Sequence, residues 1–362
     1  MTTVFQPGNQ YPVLLGPLAE TFPQWMAQRK PSGVLLLTDS NTRQHCLPAF
    51  LQASGLSADT PVVEIPSGET HKHLATCTAI WEHMLAAQLD RHALVINLGG
   101  GVIGDMGGFC AATWKRGVDF VQVPTTLLSM TDAAIGGKLG IDFQQVKNTI
   151  GVFQNPAAVF VDPVFLKTLS ERELRSGFAE VIKHALIGSA ELWEMIRHFD
   201  PTQLEACSYE DWHHILRLSI DVKVQVVTED PHEKGIRMLL NYGHTIGHAL
   251  ESYFLETEHP LTHGEAIAIG MLTESWIQHR RMAQPLPEEW VALLLRIFPK
   301  QAIPTGIVSE IWQTMLQDKK NKAGSVRMAL PKNRQLNMEV LEPLESEVQE
   351  ALDAYNASTQ LF

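Results

Sequence analysis

Residues 93–105 read ALVINLGGGVIGD, an apolar run that empties into three glycines. A continuous apolar stretch of this length, stopped by glycine, suits a strand covered on both faces. Gly99, Gly100 and Gly101, with Gly104, Gly107 and Gly108 beyond, let the backbone pass close to a bulky anion. Main-chain N–H groups and the N-terminus of a following helix then face a diphosphate. The pattern departs from G-x-G-x-x-G, because the glycines are contiguous and Asp105 follows at once. A tight strand–helix turn would use glycines too, but their position straight after a strand favours a nucleotide.

Outward from this stretch, residues 1–169 alternate strand and helix signals. Strands are expected at 34–38, 61–65, 93–98, 120–123 and 158–161, and an amphipathic helix at about 70–89. Apolar strands separated by helices predict a mostly parallel sheet. From about residue 169 the texture becomes helical, with helices expected at 180–187, 212–227, 239–254, 264–280, 288–298 and 309–316 and one short strand signal at 326–330. The expectation is an α/β nucleotide-binding domain over 1–169, an all-α metal-binding domain over 170–362, and an active site in the cleft between them.

The chain of 362 residues carries net charge −12. That excess of acid argues against a nucleic-acid or anionic-membrane surface, so an anionic substrate needs a local basic pocket. The four cysteines are scattered and have no metal-site spacing, which fits buried thiols in a reducing compartment. No basic segment followed by an apolar core opens the chain, and no apolar run is long enough to span a bilayer. Cytoplasmic residence is expected.

Several constellations carry chemistry. Asp39 and Asn41 close the first strand and suit ribose hydroxyls or helix capping; Glu69 and Lys72 are similar. Lys138 follows paired glycines, and Lys147-Asn148 comes soon after, as suits a phosphate or carboxylate contact. Glu180, His244 and His263 are a carboxylate and two imidazoles, a zinc-type set that leaves a coordination position open. His244 and His248, at i, i+4, share a helix face, so spacing alone also nominates His248. Glu180 stands among small and apolar residues, where a carboxylate must be paired or metal-bound, and Lys183 shares its face. Arg237 and Asn241 precede His244 at i, i+4.

The ordered set GGGVIGD, Pro124-Thr125-Thr126-Leu127-Leu128, Asp132 with Gly136-Gly137-Lys138, Lys147-Asn148, Ala179-Glu180-Val181-Ile182-Lys183, Asn241-Tyr242-Gly243-His244-Thr245-Ile246-Gly247-His248 and His263-Gly264-Glu265 resembles the 3-dehydroquinate synthase family over residues 39–320. Leu139 stands where a threonine commonly follows Gly-Gly-Lys, and Trp114 replaces a commoner residue. The resemblance implies a homodimeric lyase of the shikimate pathway, requiring NAD and zinc or cobalt. Its sugar-phosphate substrate would be 3-deoxy-D-arabino-heptulosonate 7-phosphate, converted to 3-dehydroquinate and phosphate. It implies Glu180, His244 and His263 as metal ligands and makes His248 a substrate contact. Asp39, Asn41, Glu69, Lys72, Gly100, Gly101, Val102, Asp105, Thr125, Thr126, Lys138 and Lys147 would contact NAD. Asp132, Lys138, Asn148, Lys183, Lys223, Glu233, Arg237, Asn241 and either Lys319 or Lys320, with Lys320 favoured, would line the substrate pocket, and Arg116 would reach the neighbouring subunit's phosphate. Another sugar-phosphate cyclase, a metal-dependent polyol dehydrogenase of the same architecture and a catalytically silent nucleotide-binding protein are the rival readings.

Overall fold

The computed structural model describes residues 2–144, 146–255, 257–284, 286–317 and 325–357. The chain divides into two compact units, residues 1–170 with 209–228, and residues 171–208 with 229–362. A single cut after residue 169 therefore needs correction, because residues 209–228 belong to the first unit. Two contacts tie this helical segment there. The Gly8 N–H donates to Thr228 Oγ1 at 2.9 Å, and Lys223 pairs with Asp132.

The first unit is built on a seven-stranded sheet of order β1-β2-β9-β6-β5-β3-β4. These strands are β1 (Thr3–Phe5), β2 (Val13–Leu15), β3 (Val34–Asp39), β4 (Val62–Ile65), β5 (Leu94–Gly99), β6 (Asp119–Pro124) and β9 (Ala158–Val161). All pair in parallel except β1 with β2. The five expected strands are present. The β1–β2 edge escaped the sequence reading because three-residue strands carry too little alternation to register. Every residue of β5 is buried, as its unbroken apolar run requires. One sheet face is covered by Ile80 and Met84 and by Ile103, Met106 and Cys110 of the helix Gly101–Thr113. Phe22, Phe50 and Phe160 meet edge-on as a separate aromatic cluster. The helix Gly101–Thr113 lies so close to β5 that a Cβ at Gly107 would meet Asn97 Cγ at 2.6 Å.

Lys138 and Asn148 sit on a separate antiparallel hairpin, β7 (Lys138–Phe143) with β8 (Val146–Phe153).

The second unit is helical but not all-α. A two-stranded hairpin, β10 (Met328–Asn333) with β11 (Asn337–Leu341), interrupts it. The helix expected at 239–254 is two elements. A 3-10 turn, Ile236–Asn241, ends before Gly243, whose φ of 79° breaks the spiral, and an α-helix begins at His244. Arg237 and Asn241 therefore do not share an α-helical face. Among the described residues no helix is long and apolar enough to cross a membrane, and Cys46, Cys77 and Cys110 are buried outside any disulfide.

Candidate functional site

The helix Glu171–Gly188 meets the N-terminus of the helix His263–Arg281 along one stripe at i, i+4, i+8. Arg172 forks onto Glu265, with Nε at 2.9 Å and Nη2 at 2.7 Å from the two carboxylate oxygens. Ser176 Oγ accepts from the Gly264 N–H at 3.0 Å. Glu180, next on the stripe, lies with Oε1 3.5 Å from His263 Nε2. Gly264 is obligatory at this crossing, since a Cβ would meet the Ser176 carbonyl oxygen at 2.1 Å. Thr262 and Glu265 form a capping box there, which fixes where His263 projects.

His244 arrives from the helix His244–Phe254, which has no side-chain cap of its own. Glu274, fully buried on the helix His263–Arg281, supplies the cap. Its two oxygens accept from the Gly243 and Ile246 N–H groups at 2.9 and 3.0 Å. His244 Nε2 then lies 3.5 Å from the same Glu180 Oε1. Two imidazoles thus converge on one carboxylate oxygen. A tetrahedral ion with arms of about 2.0–2.1 Å has ligand–ligand edges of about 3.3–3.4 Å, so these spacings fit a divalent metal among the three. His248 is also close, its ligand atom within 4.8 Å of those of His244 and His263, so geometry alone admits it beside them.

Lys183 Nζ pairs with Glu180 Oε2 and donates to the Leu240 carbonyl at 2.7 Å. Burial lowers the His263 imidazole pKa, but the Glu251 and Glu180 carboxylates outweigh it and lift the value to about 9. Without a metal His263 therefore holds a proton between two carboxylates, and a metal must displace it. Glu251, Glu274, Arg172 and Ser176 escaped the sequence reading, although Glu251 falls at i+7 from His244 on the face that nominated His248.

In the same unit the Asp230 carboxylate gathers the loop before Arg237. It accepts from the N–H groups of Lys234, Gly235 and Arg237 at 2.9, 2.7 and 3.1 Å. Arg237, 1% exposed, donates through Nη1 to the Pro231 carbonyl at 2.6 Å, and Asn241 Nδ2 lies 2.5 Å from Glu233 Oε1. Glu233 has φ 56°, a conformation that costs about 1 kcal/mol or more in a non-glycine residue.

In the first unit the nominated cofactor residues lie at the glycine turn, around Lys72, at the end of β3 and, for Lys138, at the start of β7. Gly100 caps the helix Gly101–Thr113 without a side chain, and Gly101 and Val102 form its first turn, leaving N–H groups for an anion. Thr126 packs its methyl within 3.0 Å of the position of a Gly100 Cβ. The Thr125 N–H donates to the Gly99 carbonyl. Lys72 lies 2.6 Å from Asp105 and 2.7 Å from Asn148 Oδ1, with Glu69 at 3.9 Å from both Lys72 and Lys147. Burial works against the Lys72 charge, but Asp105 and Glu69 outweigh it and raise its pKa. Asp39 makes a capping box with Thr42, so its carboxylate serves at least as a cap, and Asn41 is exposed on the helix it starts. Asp132 Oδ1 lies 2.5 Å from Lys223 Nζ. Arg116 is exposed in the turn Trp114–Arg116, where Lys115, Arg116 and Gly117 carry φ of 48°, 71° and 112°. Lys138 is exposed at the start of β7. Lys319 and Lys320 lie outside the described residues.

Comparison with known proteins meets this geometry. The family description "3-dehydroquinate synthase N-terminal" matches residues 62–176, and "3-dehydroquinate synthase C-terminal" matches residues 177–321. A 3-dehydroquinate synthase of Synechocystis sp. is 46% identical over 271 residues, 74% of each chain. One from Parabacteroides distasonis is 34% identical over 361 residues, 97% of this chain and 99% of that one. Among solved structures, 2-epi-5-epi-valiolone synthase from Streptomyces hygroscopicus subsp. jinggangensis, with NAD+ and Zn2+ bound, superposes with a TM-score of 0.82 at 27% identity over 96% of both chains. An iron-containing alcohol dehydrogenase shares the fold alone, at TM-score 0.65 and 14% identity over 98% of this chain and 99% of that chain.

Proposed function

The chain belongs to the 3-dehydroquinate synthase family, and from that premise we propose that it converts 3-deoxy-D-arabino-heptulosonate 7-phosphate to 3-dehydroquinate and phosphate as an NAD- and metal-dependent lyase. The observation that carries this reading is the convergence of His244 and His263 on Glu180 Oε1. When bound, a divalent zinc or cobalt ion supplies Lewis acidity to a vicinal hydroxyl pair, and NAD a reversible hydride sink, so the net reaction is redox-neutral.

The protein's residues do the rest. Glu180, His244 and His263 hold the ion with a position left open for substrate. Lys183 neutralises the far oxygen of Glu180. Gly100, Gly101 and Val102 offer main-chain N–H groups to the NAD diphosphate, and Asp39, Asn41, Glu69, Lys72, Asp105, Thr125, Thr126 and Lys147 contact the rest of the cofactor. Lys138, Asn148, Arg237, Asn241, His248 and Lys320 bind the substrate's phosphate, carboxylate and hydroxyls, and Glu233 and the Asp132–Lys223 pair orient the charged groups. Holding the reacting atoms in register supplies much of the rate. A cytoplasmic homodimer, in which Arg116 reaches a neighbouring subunit's phosphate, belongs to the same reading.

Purified protein with zinc, NAD and the heptulosonate phosphate should release one phosphate per dehydroquinate without accumulating reduced NAD. Phosphate without dehydroquinate would point to another carbocycle, and net reduced NAD to a dehydrogenase; either would refute the proposal.

A further inference from the structure

The two imidazoles that face Glu180 are held differently on their far sides. His244 Nδ1 lies 3.1 Å from the Tyr242 main-chain carbonyl, a neutral acceptor. His263 Nδ1 lies 3.2 Å from Glu251 Oε2. Glu251 is on the helix His244–Phe254, so one helix offers His244 towards Glu180 and, two turns on, a carboxylate to the back of His263. The Glu251 side chain is 12% exposed, which keeps the pair poorly screened.

We infer that Glu251 is a positioning residue that sets metal affinity by fixing His263. Accepting from Nδ1–H selects the tautomer whose Nε2 lone pair points to Glu180, holds the ring plane and makes the imidazole a stronger donor. Charge gives Glu251 a second role. Lys183 already pairs with Glu180, so the proposed ligand set brings no net negative charge of its own. Glu251 is the carboxylate behind His263 that adds negative charge at a dication's edge. Tyr242, a neutral carbonyl behind His244, cannot do this. The inference rests on Glu180, His244 and His263 being the metal ligands.

The test uses the metal-stripped full-length chain and zinc(II), with affinity read by competition against a chromophoric chelator. Glu251→Gln, which keeps an acceptor but loses the charge, should weaken zinc about 10-fold, and Glu251→Ala about 100-fold. The zinc-loaded wild type should show a His263 Nδ1 proton protected from exchange in the NMR spectrum, and Glu251→Ala should lose it. Zinc affinity within twofold of wild type in both Glu251 variants, alongside a His263→Ala variant that no longer binds zinc, would overturn the role of Glu251 and leave the metal centre standing. Unchanged affinity in His263→Ala would bring down the metal centre, and this inference with it.

Discussion

Lys223 Nζ lies 2.5 Å from Asp132 Oδ1, although 91 residues separate the two. Lys223 is only 5% exposed, so the pair is weakly screened, against the cost of desolvating and ordering the lysine. It is one of the contacts that put residues 209–228 with the first compact unit. If the pair fastens that segment, Lys223→Met and Asp132→Asn should be non-additive. A double-mutant cycle read by urea denaturation should give a coupling of about 0.5–3 kcal/mol. Additivity within the error of the cycle would remove the pair from this role.

Glu274 caps the helix that carries His244 from a different helix. Glu274→Gln puts a donor where two buried N–H groups need acceptors and should lower the unfolding free energy by about 2–3 kcal/mol. Denaturation with the metal removed measures this directly. A loss too small to resolve would mean that water serves those groups as well as the carboxylate does.

Asp230 gives a pH dependence of definite sign. Burial works to raise its carboxyl, but the N–H groups of Lys234, Gly235 and Arg237 outweigh it and hold the pKa below the ordinary carboxylate range. A depressed acid contributes stability that is full above its unfolded value, about 3.9, and fades as pH falls through the lower folded value. The stability difference between wild type and Asp230→Asn should therefore be constant above about pH 5 and shrink below about pH 4. A difference that grows as acid is added would reverse the sign and contradict the assignment.

At Gly264 a methyl group has nowhere to go, because the obstructing atoms are the Ser176 backbone. Gly264→Ala should cost about 1–3 kcal/mol or more and weaken metal binding by displacing His263, whereas Ser176→Ala, which removes one hydrogen bond, should cost less. Equal effects in denaturation and in zinc titration would show that the crossing yields more than its spacing implies.

The parallel sheet was legible because β3, β5 and β6 are long apolar runs ended by polar or glycine punctuation. The glycine turn was legible for the same reason. What stayed hidden is what long-range pairing creates. The β1–β2 edge is three residues per strand, and no strand was expected over β7–β8, whose glycines and lysines interrupt the apolar alternation. Return of residues 209–228 to the first unit cannot be seen from a helix's own periodicity. At the metal centre the ligand types and the His244–His248 face were legible, since i, i+4 spacing is local. The partners behind them were not. Glu274 and Arg172 act through other helices, and an acidic residue on a helix reads as a solvated face until its neighbour is known. Arg237 and Asn241, noted for their i, i+4 spacing, lie on a 3-10 turn, and Gly243 at φ 79° separates that turn from the helix of His244.

One ion held by Glu180, His244 and His263 is the centre of the proposed chemistry. Crystals of the cobalt(II)-loaded protein, with anomalous differences recorded at the cobalt edge, locate that ion without reference to activity. The prediction is a single peak about 2.0–2.2 Å from Glu180 Oε1 and from Nε2 of both histidines. A peak bound elsewhere, or none among these three atoms in a protein shown to contain cobalt, would contradict it.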